Sequence, residues 1–135
     1  MILKSFELNK IEINNYKFYL FYGDNEGLKE ENINDLFEKN YQDKIYRYEE
    51  KEIIDNINNF FNSALTKSFF DNEKLIIINR ATDKIKELME ELIERNPENI
   101  QIILNSKNLE KKSILRKLFE KEKSIVCVPF YEDNN

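Results

Sequence analysis

Apolar residues fall along the chain in short blocks whose spacing switches between two periods. Phe18, Tyr19, Leu20, Phe21 and Tyr22 are a continuous run closed by Gly23, which reads as a buried strand entering a turn. In residues 26–39, Ile33, Leu36 and Phe37 share one helical face. Residues 44–48, KIYRY, alternate weakly, as a second strand would. Ile53, Ile57, Phe60, Phe61 and Ala64 then recur at intervals of three and four, predicting an amphipathic helix. Leu75, Ile76, Ile77 and Ile78 are uninterrupted and mostly β-branched. A strand apolar on both faces belongs at the centre of a sheet, with helices above and below.

The alternation continues to the end. Ile85, Leu88, Met89, Leu92 and Ile93 define a helix that stops near Asn96, because Pro97 restricts the residue before it. NIQIIL is the next strand, Ile114, Leu115, Leu118 and Phe119 face a further helix, and SIVCVPF is the last strand. Five strands separated by four helices predict an α/β fold. The expected architecture is three layers, αβα, around a mostly parallel five-stranded sheet with right-handed crossovers. At 135 residues the chain has room for one domain. Residues 1–15 read equally well as helix or strand. YEDNN follows the last strand, so residues 1–135 are expected to be an excised N-terminal domain.

Composition narrows the chemistry. A 41% hydrophobic and 35% charged chain is that of a folded soluble protein. Its net charge of −5 opposes non-specific nucleic-acid binding, which is mainly phosphate neutralisation. Positive charge is concentrated in residues 107–123, where Lys107, Lys111, Lys112, Arg116, Lys117, Lys121 and Lys123 face three glutamates. This segment reads as a solvated helix face, with a local site for DNA or an acidic partner as the alternative. With no histidine and one cysteine, neither a zinc site nor a histidine-activated nucleophile is expected, and no disulfide can form. Cys127, inside SIVCVPF, is expected to be buried and inert. No stretch has the length of a membrane span or the form of a signal peptide, so the cytoplasm is the expected compartment.

The first strand-to-helix turn, YGDNEGLKE, is where a phosphate-binding loop belongs in this architecture. Counted from Gly23, a Walker frame places Leu28, Lys29 and Glu30 where Gly-Lys-Ser/Thr is required. Lys29 alone fits. Leu28 puts a side chain where backbone must approach phosphate, and Glu30 replaces a neutral magnesium-binding hydroxyl with negative charge. Gly23 and Gly27 read instead as turn residues that admit positive φ. The strand of Leu75 to Ile78 runs into Asn79 and Arg80 rather than a magnesium-binding acid. No cofactor, metal ligand or catalytic residue is expected, and the degenerate loop argues against an enzyme. Adjacent Phe69 and Phe70 stand among Thr66, Lys67, Ser68 and Asp71. Two consecutive aromatics in a polar loop suggest a protein-binding tip with those neighbours as flanking contacts, or else the closed edge of the core.

Three segments together carry a resemblance: FYLFYGDNEGLKEENINDL, ALTKSFFDNEKLIIINR and NLEKKSILRKLFEK. In their order and spacing the chain resembles the N-terminal domain of bacterial DNA polymerase III delta subunits, over essentially its whole length. The resemblance implies an AAA+-like fold, related to the P-loop NTPases, without a working nucleotide site. It also implies a non-catalytic role in the clamp loader, which opens the sliding clamp for loading onto primed DNA. In that family a hydrophobic pair, typically Leu-Phe, enters a pocket on the clamp, and those positions are Phe69 and Phe70 here. The implied partners are the sliding clamp (the beta subunit) and other loader subunits, the latter through helical and collar domains outside residues 1–135. DNA is implied only in the assembled loader, and the isolated domain is expected to be monomeric. The alternatives are another ATPase-inactive AAA+-like adaptor, or a nucleic-acid-binding module using a basic helix over residues 107–123.

Overall fold

The structure, a computed structural model, describes residues 1–41, 44–65 and 73–132, without the side chains of Ala64 and Leu65. The strands are β1 (Phe18–Tyr22), β2 (Ile45–Glu49), β3 (Lys74–Asn79), β4 (Ile100–Ser106) and β5 (Val126–Pro129). All pair in parallel, in the order β2-β3-β4-β1-β5. β3 is interior, as its apolar run requires, but the middle place belongs to β4, whose seven residues are all buried.

The period of two along each strand splits the apolar runs between two cores. On one face Phe18, Leu20, Ile76, Ile78, Ile102 and Leu104 pack with side chains from α2 (Glu50–Ile54), α3 (Ile57–Leu65), α4 (Lys86–Arg95) and α5 (Ile114–Lys121). On the other, Tyr19, Phe21, Ile77, Ile103, Val126 and Val128 pack with Ile33 and Phe37, beyond α1 (Glu26–Asn32). The N-terminal residues complete this second layer. They form 3-10 turns at Ser5–Lys10 and Ile13–Asn15, with Leu8 fully buried, and Ile2 forms a parallel bridge to Cys127.

Several helices differ from their sequence pattern. The helix expected over 26–39 passes from α1 into a π-helical turn at Ile33–Phe37 and a 3-10 turn at Glu38–Asn40, and Leu36 is half-buried. The helix expected through Ile53 and Ile57 is broken at Asp55 and Asn56, residue types whose side chains favour caps and turns over helix interiors. Ile57 opens α3 and is 41% exposed. Ile114 is also exposed, at the first residue of α5, while Leu115 and Phe119 are fully buried. α4 ends as expected: Asn96 takes the left-handed conformation, φ 47°, and caps the last turn before Pro97.

Candidate functional site

Two places are singled out by the sequence: the strand ends where a nucleotide would bind in this architecture, and the segment after α3. At the first, a cleft of about 280 Å³ lies at the C-terminal ends of β2, β3 and β4 beside the start of α1. It is lined by Glu26, Glu30, Glu49, Asn79, Arg80 and Lys107, among others.

The turn after β1 is closed on itself. The Gly23 amide donates to the Lys107 carbonyl at 3.2 Å, and the Asn25 amide to the Phe130 carbonyl at 3.1 Å. Asn25 caps α1, its side-chain oxygen accepting from the Leu28 amide at 3.1 Å, while its carbonyl accepts from the Lys29 amide. These amides are therefore spent on protein oxygens rather than aimed at an anion. Gly23 has φ 125° and lies against the Phe130 backbone, whereas Gly27 is an ordinary α1 residue whose added Cβ would meet Asn25 Oδ1 at 3.9 Å. The expectation of a positive φ at Gly27 is thus corrected: the helix starts one residue earlier.

Lys29, the one residue that fits the Walker frame, is fully buried. Its ammonium donates to Glu26 Oε1 and to the Ser106 carbonyl, both at 2.7 Å. It ties α1 to the end of β4. Leu28 is partly buried against the second core, and Glu30 stands exposed at the cleft. Asn79 accepts from the Asn105 side chain at 3.2 Å, and Arg80, at φ 56°, pairs with Glu49 at 3.1 Å. Three carboxylates thus line the cleft, partly offset by Arg80, Lys107 and the buried Lys29.

Cys127 is fully buried, and burial, with a smaller contribution from the Glu120 charge, pushes its thiol up to about 12. A thiol so placed stays protonated and unreactive at neutral pH. Among the described residues no group of acidic or cysteine side chains is arranged to hold a metal, and no helix is long and apolar enough to cross a membrane.

The basic segment is less of a helix than its sequence suggested. α5 covers only Ile114–Lys121, so Lys107, Lys111 and Lys112 precede it and Lys123 follows. Arg116 is tied to Glu120 at 3.1 Å and to the Leu109 carbonyl at 2.9 Å, and its guanidinium lies 5.0 Å from the Tyr22 ring centroid. Lys112 pairs with Glu110. The density of positive charge read from the sequence is therefore partly neutralised in place.

The second place, the loop with Thr66, Lys67, Ser68, Phe69, Phe70 and Asp71, lies outside the described residues. Its boundaries are described. α3 leads into it, and Lys74, at the start of β3, donates from Nζ to the Ser63 carbonyl at 2.7 Å. Both boundaries lie at the N-terminal edge of the sheet, opposite the cleft. Beside them the Arg95 guanidinium sits 5.0 Å from the Phe61 ring centroid, a pair that no motif in the sequence signals.

A family model described as DNA polymerase III, delta subunit, matches residues 19–128, from β1 into β5 and through both candidate sites. No curated protein matches the sequence. Among solved structures, the Bacillus subtilis DNA clamp loader delta protein (YqeN) is similar in fold, with a TM-score of 0.69 at 16% identity. That similarity covers 96% of this chain and 43% of the Bacillus chain, so residues 1–135 span less than half the length of that protein. With most of its length matched by the family model, on an all-parallel αβα fold, the chain belongs to the DNA polymerase III delta subunit family.

Proposed function

We propose that this chain is the clamp-binding domain of a clamp-loader subunit and that it acts without chemistry of its own. The observation that carries the reading is the delta-subunit match over residues 19–128, which includes the loop of Phe69 and Phe70. The loop engages the sliding clamp, with Phe69 and Phe70 entering an apolar pocket and Thr66, Lys67, Ser68 and Asp71 around it. Phe at the first position is bulkier than the leucine usual in the family. Binding opens the clamp if the open form is held more tightly than the closed one, since a ligand shifts an equilibrium only by its differential affinity. Other loader subunits, reached through helical and collar domains beyond residues 1–135, bind and hydrolyse ATP. The protein acts in the cytoplasm, and DNA is met only in the assembled loader.

The closed turn and the carboxylate-lined cleft support the non-enzymatic part of this reading. A triphosphate there would meet Glu26, Glu30 and Glu49, with the turn amides already bonded to Lys107 and Phe130.

The test is titration of the 135-residue chain with the sliding clamp of the same source. Anchors of this kind typically cost about 2 kcal/mol when truncated, so F69A or F70A should weaken binding roughly 30-fold. The melting temperature should hardly move. Unchanged affinity in the folded F69A/F70A double variant would remove the loop from the interface.

A further inference from the structure

The Lys29 ammonium is fully buried, yet the carboxylate that holds it belongs to Glu26, whose side chain is 57% exposed. An ion pair three residues apart on a helix surface usually has both partners in water and contributes little. Here one partner has left the water, and a buried cation needs oxygens close by. Two hold it: Glu26 Oε1 and the Ser106 carbonyl, both at 2.7 Å.

Glu26 and Ser106 both line the cleft at the strand ends, whereas Lys29 does not. The ammonium therefore lies behind the cleft wall, covered by the two groups that bond it. Ser106 carries a second polar group: its hydroxyl is buried and has no hydrogen-bond partner among the described residues. A spare hydroxyl donor, on the residue whose carbonyl holds a buried ammonium, suits an oxyanion with several oxygens. A carboxylate has two oxygens in one plane and leaves that hydroxyl unserved, while a tetrahedral oxyanion has oxygens for both donors. Without Glu26 the cleft would hold Glu30 and Glu49 against Arg80, Lys107 and Lys29.

We infer that Glu26 is an internal ligand: its carboxylate occupies the place of a small oxyanion in front of Lys29, and this side chain decides that the cleft takes none. The chain itself thereby fixes α1 to the end of β4. The inference rests on the non-enzymatic part of the reading above, for which it names the residue responsible. It is independent of contact with the clamp.

The experiment is thermal melting of the 135-residue chain and of E26A, E26Q and E26Q/K29M, each titrated with inorganic pyrophosphate at constant ionic strength. Phosphates also stabilise proteins generally by exclusion from their surface, an effect that the parent chain measures. Beyond it, E26A should melt below the parent and recover saturably, by about 3–6 °C at a tenfold excess over half-saturation. E26Q keeps an acceptor oxygen and loses the charge, so it should fold even if E26A does not, and respond in the same direction. The parent and E26Q/K29M should show no saturable response. A flat response in E26Q, with E26A flat or unfolded, would overturn the inference and leave the non-enzymatic reading in place. An equal saturable gain in E26Q/K29M would put the anion elsewhere and overturn it as well. A saturable gain in the parent would overturn both, because the cleft would then take phosphate with Glu26 present.

Discussion

At Gly23 the first strand ends against the last. An added Cβ would stand 2.1 Å from the Phe130 carbonyl oxygen and 2.7 Å from its carbon, on a backbone already at φ 125°. Neither obstacle is the far end of a flexible side chain. G23A has to push β5 away from β1 as well as strain its own backbone, for a cost of about 2–5 kcal/mol. Urea unfolding should show that loss as a lower midpoint, and a midpoint equal to the parent's would mean that the turn can relax. G27A should be neutral or mildly stabilising in the same measurement, because that Cβ would make only an ordinary contact with Asn25 Oδ1 at 3.9 Å and alanine favours a helix. The pair separates two glycines that look alike in the sequence. Lys29 makes the same point about side chains: its position in the frame was legible, but its burial between Glu26 and the end of β4 was not.

Among the elements, α5 shows how a helix is joined to its neighbour. Ser113 caps it, accepting from the Arg116 amide at 3.2 Å and donating to Asp83 at 2.5 Å. Asp83 also accepts from the Leu115 amide at 3.1 Å. Desolvation pushes the Asp83 carboxyl up, but the hydrogen bonds from the Ser113 hydroxyl and from the Leu115 and Ile114 amides outweigh it, and the net shift is downward. A carboxyl depressed in the folded state stabilises above its unfolded value, near pH 4. That contribution is lost as pH falls through the lower folded value. D83N should therefore be less stable than the parent at pH 7, with the gap closing below about pH 4. Parallel melting curves at all pH values would exclude the link. S113A should cost about 1–2 kcal/mol at neutral pH through loss of the cap. The break between α2 and α3 belongs to this scale too. It turns Ile57 outward although its spacing from Ile53 is that of a buried stripe.

For the whole molecule the same sheet presents two edges of different character. The C-terminal edge carries the cleft of Glu26, Glu30 and Glu49, and the N-terminal edge carries the boundaries of the Phe69–Phe70 loop. Equilibrium dialysis of labelled ATP with magnesium, at millimolar protein, should show no saturable binding. Magnesium-dependent saturation would contradict the reading of a turn unable to hold phosphate. The chain should also sediment as a monomer and, at net charge −5, leave duplex DNA unshifted at physiological salt. A salt-sensitive shift at micromolar protein would restore residues 107–123 as a DNA site.

What the sequence determined by itself is what depends on local period and on single residue types. Runs such as Leu75 to Ile78 are apolar on both sides and can only be interior strands, and the order of the elements then allows little besides a parallel αβα sheet. The unsuitability of Leu28 and Glu30 for a phosphate loop was equally legible, because that chemistry needs particular residues at particular places. The tertiary structure decided what depends on distant partners. Residues 1–15 have no strong period, and they settle into 3-10 turns because Leu8 and the bridge from Ile2 to Cys127 cover an otherwise open layer. In the basic segment Lys112 pairs with Glu110, and Arg116 with Glu120 and the Leu109 carbonyl. Arg95 and Phe61, 34 positions apart in sequence, join α4 to α3, and no local pattern encodes such a meeting, because it is set by how the two helices lie against the sheet.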